Sequence, residues 1–205
     1  MRLRYVLAAA VLAAVAASAR AQVGVYVNPV FNRISNSTPD SGPFAFLGQN
    51  STSRNFGGLD FGGYYDFPRG PGLKFGADVR DTIVHSGNAS LNVFSLAARV
   101  EAPSIGRGIR PYVQLAAGAG RSKSDESLVH ATRGLFGVFA GIDYPLGRHV
   151  DFRVVELGYG SVTTINSYIY GGPKPIGAST LVQVSSGLVF RFHLPGGQKK
   201  EKNPY

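Results

Sequence analysis

From position 179 to 192 apolar and polar side chains alternate. Val182, Val184, Leu188, Phe190 and Phe192 fall on one face of an extended chain, and Gln183, Ser185, Gly187 and Arg191 on the other. A period of two marks a strand with one face in an apolar environment. The same rhythm predicts strands over 23–32, 55–67, 73–84, 89–102, 110–121, 133–145, 150–163 and 179–192. Most of these reach the ~9–11 residues a tilted strand needs to cross a bilayer, whereas soluble strands cluster near ~5–6. An even number suits closure by antiparallel hairpins, so the expected fold is all-β: an eight-stranded antiparallel up-and-down transmembrane β-barrel.

Which face looks inward separates a membrane barrel from a soluble one. One set of faces reads Gly58, Asp60, Gly62, Tyr64, Asp66, then Lys74, Gly76, Asp78, Arg80, Thr82, then Tyr112, Gln114, Ala116, Gly118, Gly120. Glycine weakens a strand and has no use on a solvated surface, but a narrow lumen needs small side chains. The opposite faces carry Leu59, Phe61, Phe75, Val79, Phe94, Leu96, Val113, Leu115, Val138 and Ile142. The expectation is therefore hydrocarbon outside, with small and ionic groups within. Tyr65, Phe67, Tyr144 and Phe192 cluster at one predicted rim, where an aromatic girdle would sit. Connections on that rim are Pro/Gly-rich and short, and those on the other are mostly long. The segment 85–88 is a short exception.

Composition adds the compartment. Arg2 and Arg4, an apolar stretch over 6–17 and Ala19-Arg20-Ala21 have the form of a cleaved signal peptide over 1–21. The barrel is then expected over 22–194, followed by a short basic periplasmic tail over 195–205 containing Lys199, Lys200 and Lys202. The formal charge of +9 includes three leader arginines, and the remaining basic residues do not interleave with aromatics, so nucleic acid is not an expected partner. With no cysteine in the chain, stability must come from something other than disulfides, and a closed ring of backbone hydrogen bonds would supply it.

The inward faces carry the candidate site. Asp60, Asp66, Asp78, Asp143 and Glu156 stand against Lys74, Arg80, Arg99, Arg110 and Arg191. Unpaired charge is costly in a low-dielectric interior, so a near balance predicts a lumenal ion-pair network that fills the barrel. A charge-selective channel is the sharper alternative, but an eight-stranded barrel is only about wide enough for its own side chains. The histidines, His85, His130, His149 and His193, lack metal-ligand spacing, and the adjacent His85 and Ser86 would face opposite ways on a strand. No cofactor, metal or catalytic residue is expected. Phe44, Phe46 and Leu47 in the first long loop, and Tyr168, Ile169 and Tyr170 in the last, put apolar groups where water is expected, making them candidate outward contacts.

Several segments resemble a known family: Arg110-Pro111-Tyr112-Val113-Gln114-Leu115-Ala116-Ala117-Gly118-Ala119-Gly120, Ala140-Gly141-Ile142-Asp143-Tyr144, Phe152-Arg153-Val154-Val155-Glu156-Leu157-Gly158-Tyr159 and Gly187-Leu188-Val189-Phe190-Arg191-Phe192. They are similar to the later strands of the small bacterial outer-membrane β-barrel domain family, of OmpA or OmpX type. The resemblance implies a place in the outer membrane and a non-enzymatic structural or surface-interaction role, adhesion-like in kind. A narrow porin-like channel and a lipid A-modifying enzyme are the alternatives. Outer-membrane lipid, lipopolysaccharide and the barrel-assembly machinery are the implied partners, with peptidoglycan a neighbour for the basic tail. One departure is that family chains often stop on the aromatic closing the last strand, whereas this one continues past Phe192.

Overall fold

The computed structural model describes residues 22–40, 45–67, 72–106, 108–124, 130–164 and 178–193. Eight strands follow in chain order: β1 (Gln22–Asp40), β2 (Ser51–Phe67), β3 (Lys74–Ser86), β4 (Ala89–Glu101), β5 (Arg110–Lys123), β6 (His130–Pro145), β7 (Val150–Thr164) and β8 (Ser179–His193). Each pairs antiparallel with the next, and β1 also pairs with β8, so the sheet closes into a barrel. Closure leaves no strand with a free edge, so the ladder satisfies the backbone without cysteine. β1 runs well past the expected 23–32, to Asp40, and β2 begins at Ser51, so much of the expected first loop is strand. The segments 1–21 and 195–205, and with them the leader and tail expectations, lie outside the described residues.

The two faces divide as the alternation predicts. Leu59, Val113, Leu115, Leu188 and Phe192 are exposed on the outer wall, while Asp60, Gln114 and Arg191 are buried within. An apolar outer wall rules out water as its neighbour over most of its height. Phe67, Tyr144 and Phe192 stand exposed at the rim that carries both chain ends, and the Tyr65 and Phe67 rings meet edge to face at 5.0 Å. At the far rim Gly87 and Asn88 join β3 to β4, with Gly87 at φ 59°, a left-handed turn that explains how so short a connection suffices.

β7 breaks the alternation. Asp143 of β6 pairs with Arg153 while the neighbouring Ile142 pairs with Val155, leaving Val154 as an extra residue, and the same offset separates the Arg153 and Glu156 pairings with β8. The bulge shifts the parity of the strand. Asp151 and Arg153 below it therefore point into the lumen together with Glu156 above it, three positions from Arg153. Beside the bulge, the Ser186 hydroxyl donates to the Arg153 carbonyl at 2.9 Å.

The lumen differs between its halves. Nearer the termini it is polar and aromatic. Toward the far end it holds a continuous apolar cluster that includes Ile34, Phe56, Val84, Leu91, Val162 and Leu181. The expectation of small and ionic groups inside describes the glycines and ion pairs of the first half, which also holds four aromatic rings, and is corrected for the second, where many inward positions of the strands are apolar.

Candidate functional site: the lumen and its plug

Three guanidinium groups and four aromatic rings alternate in the polar half. Arg80 lies 4.8 Å from the Phe139 ring and 5.5 Å from that of Tyr26. Arg153 sits between Tyr26 at 4.6 Å and Tyr112 at 4.8 Å, and Arg99 between Tyr112 at 3.8 Å and Tyr64 at 4.2 Å. The result is one stack in the order Phe139, Arg80, Tyr26, Arg153, Tyr112, Arg99, Tyr64. A delocalised guanidinium is weakly hydrated and lies flat on a ring, so a desolvated column of this kind suits arginine and not lysine.

Glycines make the room. Tyr26 pairs across the ladder with Gly62, Tyr64 with Gly24, Tyr112 with Gly141 and Phe139 with Gly158. A Cβ at Gly141 would stand 2.4 Å from the Tyr112 hydroxyl oxygen, and one at Gly158 would stand 2.5 Å from the Phe139 ring. Each inward ring thus lies over the bare backbone of its cross-strand neighbour, a pairing that also covers the glycine. Four of the inward glycines, Gly24, Gly62, Gly141 and Gly158, are thus seats for aromatic side chains.

Carboxylates neutralise the column. Glu156 accepts two hydrogen bonds from Arg80, at 2.6 and 2.9 Å, one from the Tyr112 hydroxyl at 2.6 Å and one from Arg153 at 3.3 Å. Asp143 accepts from Arg153 at 3.0 Å and lies 3.5 Å from Arg99. Tyr26 donates to Asp78 at 2.8 Å, and Gln114 bridges Arg80 to Asp78. Gln183 donates to Asp60 at 2.9 Å, and Asp66 lies 3.6 Å from Arg99. Near the terminal mouth Lys74 bridges to Glu101 at 2.7 Å, while Arg110 and Arg191 share Asp151. The carboxylates at the middle of the column, Glu156, Asp143 and Asp78, each accept more than one hydrogen bond, which is the condition for a buried ion pair to hold.

All ten charged residues singled out from the sequence therefore face the lumen in contact with opposite charge; nine have side chains no more than 11% exposed, and Lys74, at 35%, marks the mouth. The sequence reading missed Glu101, Asp151 and Arg153. Glu101 shares parity with Arg99 and was legible. Asp151 and Arg153 were not, because alternation counted back from Glu156 puts Phe152 and Val154 inside, and only the bulge reverses this.

The loop candidates need correction. Phe46 and Leu47 are buried, not displayed to an outside partner. The Phe46 ring stacks on Phe56 at 4.8 Å and 17°, and the Arg133 guanidinium lies 5.0 Å from its centre. Its backbone N–H donates to the Asp40 carboxylate at 2.6 Å, and that of Leu47 donates to the same oxygen at 2.9 Å. The physical reason is that the far lumen is apolar, so a loop carrying two apolar side chains gains more by folding in than by standing in water. Phe44, Tyr168, Ile169 and Tyr170 lie outside the described residues. His85 is exposed on the outer wall while Ser86 accepts from Arg54 at 3.0 Å, so the adjacent pair does not act together. Among the described residues no group of three acidic, histidine or cysteine side chains is placed to hold a metal.

Comparison with known proteins agrees with this architecture. The model of a family described as outer membrane protein beta-barrel domain matches residues 5–190. No curated protein sequence matches the chain. Among solved structures, Ail, the attachment invasion locus protein of Yersinia pestis, superposes with a TM-score of 0.50 at 9% identity, over 83% of this chain and 98% of its own. Neisserial surface protein A gives 0.49 at 15% identity over 83% and 97%, and the N-terminal β-barrel domain of Pseudomonas aeruginosa OprF gives 0.41 at 15% over 82% and 97%. At such identities the likeness speaks for the fold alone.

Proposed function

The chain belongs to the outer membrane protein beta-barrel domain family and resides in the bacterial outer membrane, and we propose that it serves there as a closed, non-enzymatic barrel with a structural or surface-interaction role, adhesion-like in kind. One observation carries this reading: the lumen is occupied along its height. The arginine–aromatic column and its carboxylates fill the half near the termini, and the apolar cluster with Phe46 and Leu47 fills the other. A solute path would have to break the Arg80–Glu156 pair and also displace an aromatic plug. With the interior committed to packing, the surface left for function is the outer rim and the lipid-facing wall. Lipopolysaccharide and membrane lipid are the partners proposed for the wall, the assembly machinery for the strands during insertion, and peptidoglycan for the basic tail.

Planar-bilayer recording tests the closed lumen. The wild-type barrel is expected to show no unitary conductance, and the double variant Arg80→Ala with Glu156→Ala is expected to admit small ions. Discrete wild-type openings would sink the closed-barrel reading and favour a narrow channel. The surface role is tested by replacing 165–178 with a glycine–serine linker and measuring attachment of cells to matrix-coated surfaces. Attachment is expected to fall while the barrel still inserts, and undiminished attachment counts against the adhesion-like role.

A further inference from the structure

Among the described residues the outer wall carries one acidic side chain between its rims, Asp81 on β3. It lies three outward positions above Phe75 at the terminal rim and two below His85, near the middle of a ~9–11-residue crossing. Its neighbours along the strand are Val79 and Ile83, and across the ladder it pairs with Phe61 of β2 and Phe94 of β4, both exposed on the same wall. Its Oδ1 is buried and, among the described residues, has no hydrogen-bond partner. An ionisable group at this depth is costly unless something within the membrane satisfies it. The wall itself offers no cation there: among the described residues the outward arginine and lysine side chains of the strands, Arg33, Arg121 and Lys123, lie toward the far rim, and Arg121 stands beyond Ala119, the residue that pairs with Phe94. The adjoining strand β2 adds a second observation. Gly57 faces outward and pairs with His85, its backbone is not left-handed, and a Cβ on it would meet nothing within 4 Å. Gly63 is also on the outer face, two positions from Phe61. Glycine weakens a strand, and neither a turn nor a neighbouring ring calls for it at Gly57, so its use lies outside the chain, in letting another backbone come close.

We propose that the outer face of β2, β3 and β4 is the interface of a symmetric dimer of this chain, in which Asp81 and the partner's Asp81 hydrogen-bond to each other within the membrane. Two copies inserted the same way round are related by a twofold axis along the membrane normal, and that symmetry sets a residue on the axis against itself at the same depth. A protonated carboxyl donates through its O–H and accepts through its carbonyl oxygen, so two of them satisfy each other without a cation. With no outward arginine or lysine level with it, self-pairing is the contact a second copy can give Asp81. Lipid tails are as apolar as the wall, so apolar area alone does not drive association in a bilayer; polar pairs and close backbone approach do. Asp81 supplies the first, and Gly57 and Gly63 supply the second. Phe61 and Phe94, on either side of Asp81, close the pair off from lipid. This goes beyond the closed-barrel reading and does not depend on what fills the lumen.

Energy transfer between labelled barrels in liposomes tests the dimer. The chain has no cysteine, so Asn88→Cys gives a single thiol at the turn between β3 and β4, above the proposed interface, for a donor or an acceptor dye. With Asp81 intact, transfer is expected to exceed that of random encounter at the same lipid dilution. Asp81→Leu removes a polar group from a lipid-facing position, so the barrel should keep its heat-modifiable mobility while association weakens at least about tenfold. Asp81→Asn, whose carboxamide also donates and accepts, should keep most of the transfer. Gly57→Leu has room within its own barrel and should weaken association by holding the two walls apart. Donor-labelled barrels with Asp81 intact, mixed with acceptor-labelled Asp81→Leu barrels, should show no more transfer than Asp81→Leu alone, because the pair needs both carboxyls. Transfer at the random level with Asp81 intact, transfer unchanged by Asp81→Leu, or full transfer in the mixed sample overturns the proposal.

Discussion

Glu156 is where the polar lumen converges, since Arg80, Arg153 and Tyr112 all donate to it and it is fully buried. Removing one member of such a set leaves uncompensated charge in a dry interior. Glu156→Ala should therefore lower unfolding stability by about 3–5 kcal/mol, read as a shift in urea midpoint in detergent. Lys74→Ala is the contrast: its side chain is partly exposed at the mouth, the buried Glu101 keeps its bond from Arg99 at 3.1 Å, and the change should stay under about 1 kcal/mol. Equal losses from the two variants would contradict the placement of Glu156 at the centre. Gly141→Ala tests the ring seats. Its Cβ would overlap the Tyr112 hydroxyl, the tyrosine must move, and its bond to Glu156 is lost; destabilisation is expected, and pairing it with Tyr112→Leu should restore part of it. At this scale the charged positions were legible in the sequence because period two fixes which way a side chain points. The column of rings and guanidinium groups was not, because its members come from β1, β2, β3, β4, β5, β6 and β7 and meet only across the lumen.

Among the elements, β7 carries the consequence that a strict alternation misses. Without Val154 the strand below Glu156 would reverse its faces, turning Asp151 and Arg153 toward lipid and Phe152 inward. A cation on the lipid face costs about 2–4 kcal/mol near the midplane, and the column would also lose its middle guanidinium. Deletion of Val154 is therefore expected to abolish folding into liposomes, measured as loss of heat-modifiable mobility; a variant that inserts as efficiently as wild type would show that the bulge is dispensable. Strand existence was readable throughout, and boundaries moved mainly at β1 and β2, where polar residues such as Ser35 and Ser53 pair in the ladder beyond the end of the apolar pattern. Periodicity reports burial, so it falls silent where a strand rises out of the apolar zone.

As a whole molecule the barrel is an inverted protein, with its charges within and its hydrocarbon-compatible surface without. Leu115→Arg, on the outer wall near the middle of β5, should cost about 2–4 kcal/mol in a bilayer. The check is the folding free energy in liposomes, and a neutral outcome would mean that this wall does not face lipid. Because the ion pairs are buried, raising the ionic strength should move the wild-type urea midpoint little; a large drop would place the network in contact with bulk salt.

What the sequence by itself determined is the strand set, the division of each strand into two faces, the number of strands and the apolar exterior, because these follow from local alternation and from the length a membrane crossing demands. What only the tertiary structure decided is which side chains meet inside. The β7 bulge reverses a parity that local pattern cannot reverse, Gly24, Gly62, Gly141 and Gly158 acquire meaning only opposite a ring on the next strand, and Phe46 chooses the lumen over water because closure of the distant strands creates an apolar cup that no segment of the chain possesses alone.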